Sequence, residues 1–188
     1  MSTEVNLRDS NVTAKSVEII NDVTAPSFSG SALNISSIPS IANQFFCSTP
    51  LVDNSTINNF TTPTQINVFP ADNTAFTIRR GNFTCSSSGV VVPDTGIYLC
   101  LLNVKISSSA ARSGPGVSIT VNGTVLDEIG ASGYMRSASG HQDSSLHIDT
   151  LLNLVNGDEV GLAFSIQGAT GTVNLDGENS SFALYRVS

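Results

Sequence analysis

Val117-Ser118-Ile119-Thr120-Val121-Asn122-Gly123 alternates apolar and polar residues and then ends on a dipeptide that reverses a chain. Strand side chains point to opposite faces in turn, so Val117, Ile119 and Val121 line one face while Ser118 and Thr120 line the other. Asn-Gly is a strong two-residue hairpin signal, because both residues tolerate the positive φ that such a turn requires. A second stretch reads the same way. Val160, Leu162, Phe164 and Ile166 alternate with Gly161, Ala163 and Ser165, after the turn Asn156-Gly157-Asp158. Its second face carries only small residues, which allows a neighbouring strand or sheet to come close. Outward from these two strands, from Phe76 to Ser188, short apolar runs are separated by turn residues about every eight to twelve positions, the spacing of an antiparallel β-sandwich. No stretch holds a sustained helical period.

One strand departs from simple alternation. After Pro93-Asp-Thr-Gly96 the run Ile97-Tyr-Leu-Cys-Leu-Leu102 is apolar at both parities, and alternation returns at Asn103-Val-Lys-Ile106. A strand apolar on both faces has to be covered on both. In a two-layer sandwich the second cover is either another subunit or a further segment of the same chain.

The rest of the chain sets bounds on function. Its 188 residues suit one domain plus an appendage. Charged residues are only 12%, about half the usual share. Ser, Thr, Asn and Gly take their place and favour strands and turns over helices. A net charge of −7, with Arg79-Arg80 as the one local basic cluster, argues against a nucleic-acid-backbone binder. No basic-then-apolar leader opens the chain, and no apolar run is long enough to span a membrane. Cys47, Cys85 and Cys100 are odd in number and lack metal-like spacing, which reads as buried free thiols in a chain made in a reducing cytoplasm. The glycosylation sequons at Asn11, Asn34, Asn54, Asn59, Asn82, Asn122 and Asn179 follow from a composition rich in Asn, Ser and Thr.

Three regions emerge: an N-terminal arm over 1–45, a transitional segment with first strands over 46–75, and a jelly-roll domain over 76–188. The arm contains only short apolar snatches, such as Val17-Glu-Ile-Ile20, and cannot build a core alone. It needs copies of itself or a partner to become ordered.

Several segments, in order, resemble the complement one-q globular heads and the wider tumour-necrosis-factor-like jelly rolls. Gly81-Asn-Phe-Thr-Cys85 followed by Pro93-Asp-Thr-Gly-Ile-Tyr98 is similar to a G-x-F-T-C … P-x-x-G-x-Y segment, stretched here by Ser86–Val92. Val117–Gly123 resembles the strand that ends in N-G. Asp149-Thr-Leu-Leu-Asn-Leu-Val-Asn-Gly-Asp-Glu-Val160 resembles L-x-L-x-x-G-D-x-V, and Ser180-Ser-Phe-Ala-Leu-Tyr185 resembles the closing S-x-F-x-G-x-L without its Gly. The resemblance implies an all-β, ten-stranded antiparallel jelly roll that assembles as a homotrimer through apolar and aromatic side chains. Tyr98, Phe164, Phe182 and Tyr185 are the candidate trimer-interface residues, with core packing inside one subunit as the other reading of each. Trp, a collagen-like stalk and a secretion signal are absent. Within the arm, Phe28-Ser-Gly-Ser-Ala-Leu-Asn-Ile-Ser-Ser-Ile-Pro39 looks like a short repeat of viral and phage fibres.

A search for chemistry yields little. His141, Asp143, His147 and Asp149 share a strand parity and form a weak candidate metal set; a polar strand face with Leu146 and Ile148 turned inward explains them equally. No G-x-S-x-G elbow occurs, and Asp127-Glu128 and Asp158-Glu159 are adjacent in sequence and so point to opposite faces. No cofactor is expected, nor enzymatic activity. Tyr134, Met135 and Arg136, in a Ser/Gly-rich loop, are a candidate contact patch, or Tyr134 covers the sandwich edge.

The combined expectation is a non-enzymatic virion structural protein made in the host cytoplasm. Residues 1–45 bind a capsid or tail protein, and a trimeric head projects for attachment to a host surface receptor or glycan. A capsid cement or vertex protein and a cellular module recognising protein or glycan are the alternatives. Neither nucleic acid nor membrane insertion enters any of these readings.

Overall fold

Turn chemistry and alternation together produce the strands. The computed structural model describes residues 45–52, 57, 60–109, 112–136, 142–168 and 172–188, all within one compact unit. The expected anchoring arm lies outside the described residues, apart from Phe45. Among the described residues there are eleven strands: β1 Phe46–Pro50, β2 Thr64–Gln65, β3 Ile78–Arg80, β4 Thr84–Cys85, β5 Gly89–Val91, β6 Gly96–Ser108, β7 Gly114–Val121, β8 Thr124–Ser132, β9 Asp143–Leu154, β10 Glu159–Gln167 and β11 Val173–Arg186. One sheet runs β3-β1-β11-β6-β9 and the other β4-β5-β10-β7-β8, with β2 also paired to β10. Every pairing between these strands is antiparallel. The only helical piece among the described residues is a 3-10 turn at Asn73–Ala75, capped by the Asp72 carboxylate, which accepts from Thr74 N.

The hairpin between β7 and β8 forms where Asn122-Gly123 predicts it. Asn122 has φ 51° and Gly123 φ 78°, the paired positive values that match the twist of the flanking strands. The Asn122 amide then ties this hairpin to the next one. It donates to Asp158 Oδ1 at 2.7 Å, and its carbonyl oxygen accepts from Glu159 N at 2.9 Å. The small face of β10 is closely approached as its composition suggests, but by the same chain. A Cβ on Gly161 would sit 2.4 Å from the Ser88 carbonyl and 2.8 Å from Gln65 Nε2.

The domain begins earlier than Phe76. β1 lies between β3 and β11 in the middle of its sheet, and Cys47, Thr49, Leu51, Ile57, Val68 and Phe69 are buried. The boundary at 75/76 is therefore corrected to lie at or before Phe46. The first strands expected within 46–75 are part of the sandwich itself, because β1 pairs with β3 and β11 and β2 pairs with β10. Among the described residues the sandwich has eleven strands rather than ten, since short β2–β5 pieces segment the stretch from 64 to 91.

The core lies between the sheets. Phe83, Tyr98, Phe164 and Phe182 have no exposed surface. Phe83 meets Tyr98 edge-on at 6.3 Å, and Phe69 meets Phe182 edge-on at 5.2 Å, a geometry that adds to the burial itself. The Tyr98 hydroxyl donates to the Asp94 carbonyl at 2.8 Å, and the Asp94 carboxylate pairs with Arg186 Nη1 at 2.8 Å. The Pro93-Asp-Thr-Gly turn is thereby fastened to both the core and the last strand.

β11 contains a wide bulge. Its partner on β6 moves from Lys105 to Asn103 while β11 advances from Asp176 to Ser181. The Asp176 carboxylate holds the extra loop by accepting from Asn179 N at 3.2 Å and Asn179 Nδ2 at 3.0 Å. Ser180 Oγ donates to the Asp176 carbonyl at 2.6 Å and accepts from Lys105 N at 2.8 Å. Lys105 Nζ sits 2.9 Å from Asp176 and 3.6 Å from Asp143. Hydrogen bonds from Lys105 and then Asn179 hold the Asp176 carboxyl below its usual range, and the Asp176 hydrogen bond raises the Lys105 ammonium.

The signs set a pH window. Asp176 contributes stability above its unfolded pKa, and that contribution is lost as pH falls through the lower folded value. Lys105 contributes below its unfolded pKa, with loss as pH rises through the raised folded value. Asp176→Asn is expected to flatten the acid limb of a plot of unfolding midpoint against pH, while leaving a neutral-pH protein that still folds. An unchanged acid limb would assign acid sensitivity to other carboxylates.

Candidate functional site

β6 settles which way its apolar run faces. Tyr98, Cys100, Leu102, Val104 and Ile106 point into the sandwich and are buried, so Ile97, Leu99 and Leu101 point outward. The outward positions do not stand alone. Register places Phe46 of β1 opposite Tyr185 of β11, Tyr185 opposite Leu99 of β6, and Leu99 opposite Leu151 of β9. These four side chains form one row across four strands, roughly 15 Å wide at ordinary strand spacing. Phe46 and Tyr185 stack at 5.7 Å with an interplanar angle of 18°. Ile97 and Val187 extend the apolar surface at one end; their backbones are joined by a hydrogen bond from Val187 N to the Ile97 carbonyl at 2.8 Å. Exposure is large for residues of this size: 61% for Leu151, 55% for Val187 and 40% for both Ile97 and Tyr185. Beyond Leu101 the same face turns polar, with Asn103, Lys105, His147 and Asp143.

The expected trimer-interface set therefore divides. Tyr185 is on the exposed face. Tyr98, Phe164 and Phe182 are corrected to core residues, because side chains with no exposed surface in one subunit cannot meet another. Phe46 and Leu151 join Tyr185 on this face, beside Ile97 and Leu99 of the doubly apolar run. A signal for the β6 residues was present: Val104 and Ile106 are apolar between polar Asn103 and Lys105, which fixes even positions as inward along the whole strand.

The contact-loop residues divide as well. Tyr134 is 64% exposed and Arg136 is exposed, whereas Met135 is buried and its backbone exchanges hydrogen bonds with Ser113 at 2.8 and 3.0 Å. Met135 is thus a packing residue that pins the loop to the start of β7. Of the candidate metal set, His141 lies outside the described residues. Asp143, His147 and Asp149 share the exposed outer face of β9 while Leu146 and Ile148 turn inward. Glu128 lines a shallow cleft with His147 and Asp149. Among the described residues, no three His, Cys, Asp or Glu side chains come close enough to share a metal.

The three cysteines are free and buried. Burial pushes Cys47 and Cys100 up to about 12 and Cys85 up to about 11. A thiol reagent at about pH 8 is expected to label none of the three in the folded protein and all three after denaturation, because the thiolate is the reacting form. Rapid labelling of one native thiol would contradict this packing.

This layering and strand order define a TNF-like jelly roll. The chain superposes on the crystal structure of murine APRIL at pH 8.0 with 21% identity and a TM-score of 0.50, over 77% of this chain and 99% of that one. The murine APRIL structure at pH 8.5 gives 17% identity and a TM-score of 0.50 with the same coverage. Eiger TNF from S. frugiperda gives 18% identity and a TM-score of 0.45, over 77% and 92%. The two APRIL likenesses, both under 25% identical, speak to the fold alone. No protein-family model matches the chain, and no curated protein is significantly similar to it.

Proposed function

We propose that this chain is a non-enzymatic trimeric head whose subunits meet through the outer face of the five-stranded sheet, serving as a virion component that presents its loops for host attachment. The observation that carries the reading is the row Phe46–Tyr185–Leu99–Leu151. Four apolar side chains in register across one sheet face, flanked by Ile97 and Val187, form a contiguous patch of the kind that marks a protein interface. A second copy of the chain suits it, because β9 is also a twelve-residue edge strand that needs cover. Stacking one phenol against one phenyl ring also presents a preformed, rigid contact surface, which lowers the entropic cost of association.

The virion placement draws its support from the arm, whose fibre-like Phe28–Pro39 segment leads toward β1. Three linked arms would turn a weak individual anchor into a strong one, and three heads would do the same for a receptor or glycan. The assembly is tested by light scattering or sedimentation of the full chain at micromolar concentration. A mass three times that of the 19.6 kDa chain supports the reading, and a monomer sinks it. Placement is tested by limited proteolysis of intact particles. A protected arm with cleavage near Tyr134 supports a projecting head; a protected head with the same trimer would point to shell reinforcement instead.

A further inference from the structure

The six-stranded sheet carries a cavity that the subunit interface does not use. It has a volume of about 460 Å³ and lies at the end of the sandwich where β7 begins and β8 and β10 finish. This is within the size range of small-ligand sites. Gly114 and Gly116 of β7, Gly133 after β8 and Gly168 after β10 contribute to the lining and leave backbone within reach of a ligand. Ser132, Ser165 and Gln167 supply hydroxyl and amide groups, while Arg112 and Tyr134 stand exposed at the site. Among the described residues Arg112 is in no ion pair. A shallower groove of about 300 Å³ continues along the outer face from Gly116 and Ser165 past Ser118 and Gly130 to Asp127 and Glu128.

We propose that this cavity binds a saccharide carrying one carboxylate, with the acid group on Arg112 and a sugar face against the Tyr134 ring. The proposal rests on the attachment reading and names its ligand. Four features select this chemistry. A lining of hydroxyl, amide and backbone groups suits a ligand with many hydroxyls, and offers little to an apolar one. An exposed phenol ring supplies the flat apolar surface onto which a C–H face of a sugar can pack. A single guanidinium matches one carboxylate by paired hydrogen bonds. The chain's net charge of −7 disfavours a polyanion, which among the described lining residues would meet Arg112 as the one cation. The acidic far end of the groove also fixes orientation, since the ligand's carboxylate is attracted to Arg112 and repelled by Asp127 and Glu128. Because the proposed subunit contact uses the opposite sheet, the cavity and the apolar row are separate surfaces of one subunit.

The test is a titration of the full-length protein with methyl glycosides of N-acetylneuraminic acid and glucuronic acid, and with methyl glucoside as the neutral control, followed by saturation-transfer NMR. Two variants are added: Arg112→Gln, and Gly114→Leu, which fills the cavity. A Cβ at Gly114 meets nothing nearer than 3.5 Å, so the strand tolerates a side chain there. The expected result is saturable binding of an acidic glycoside that weakens about tenfold or more in each variant, with much weaker binding of methyl glucoside. No saturable binding, or binding indifferent to both variants, overturns the proposal. Equal binding of the neutral sugar overturns the carboxylate assignment. Particle adsorption that requires Arg112 without any sugar binding would replace the saccharide by a protein receptor. Mass measured on the same samples separates the two readings: a trimer that adsorbs yet binds no sugar sinks the site alone, and a monomer that binds sugar sinks the trimeric head alone.

Discussion

Leu151→Asp is expected to convert a trimer into a folded monomer. In the single subunit Leu151 is 61% exposed, so the change should alter the monomer's own stability by no more than about 0.5 kcal/mol. In the assembled protein the same carboxylate would be buried against a neighbour, in a row whose other members are Phe46, Leu99 and Tyr185. Burying an unpaired charge costs several kcal/mol even after relaxation, and three-fold assembly imposes that cost three times. The trimer should therefore be lost at micromolar concentration, a shift of at least about a hundredfold in dissociation constant. Tyr185→Asp should behave alike, because it removes the stacked ring as well. Thr124→Asp, on an exposed position of the other sheet, should leave the trimer intact. Sedimentation distinguishes the outcomes. If Leu151→Asp stays trimeric, the face is not the interface. If the unaltered chain is monomeric and becomes oligomeric only when the arm is removed, residues 1–44 cover the face themselves.

The exposed row explains how far the residues could be read without the fold. Alternation in Val117–Val121 and Val160–Ile166 was legible because both strands keep one parity from end to end, and Asn122-Gly123 marked its own turn. The doubly apolar run at 97–102 was legible as a surface needing cover. What could not be read was which surface Tyr185 and Phe182 occupy. Val173 and Leu175 face inward, and unbroken alternation would carry Ala183 and Tyr185 inward with them. The loop from Asp176 to Ser181 switches the parity, so Phe182 and Leu184 turn in and Tyr185 turns out. That switch depends on Lys105 and Asn103, about seventy residues away in sequence, and on hydrogen bonds that a local pattern does not contain. β1 and β2 were legible as possible strands near Phe46 and Gln65, but not as members of the two sheets. Their pairing is decided by long-range partners rather than by local alternation. The saccharide cavity was half legible: Tyr134 stood out within its loop, whereas Arg112, Gln167 and the glycines converge only through the β7–β10 and β7–β8 pairings.

Phe164→Ala should do the reverse of Leu151→Asp, unfolding the subunit more readily without changing how folded subunits associate. Phe164 is fully buried. On β10 it is the register partner of Val117 on β7 and of Thr64 on β2, and its ring is part of the buried core. Removing a buried phenyl ring costs about 3–5 kcal/mol, because transfer energy is lost and the close-packed surroundings collapse only partly into the space. Total stability of a domain is only about 5–15 kcal/mol, so the melting temperature should fall by on the order of 10 °C. Phe182→Ala should cost a similar amount, and would also remove the edge-on contact with Phe69. Thermal melts combined with sedimentation of the folded fraction provide the check. A large drop in melting temperature with an unchanged folded mass agrees with a core residue. Dissociation of Phe164→Ala into folded monomers of undiminished stability would return this ring to the subunit interface and overturn the face assignment, because β10 belongs to the opposite sheet from the apolar row.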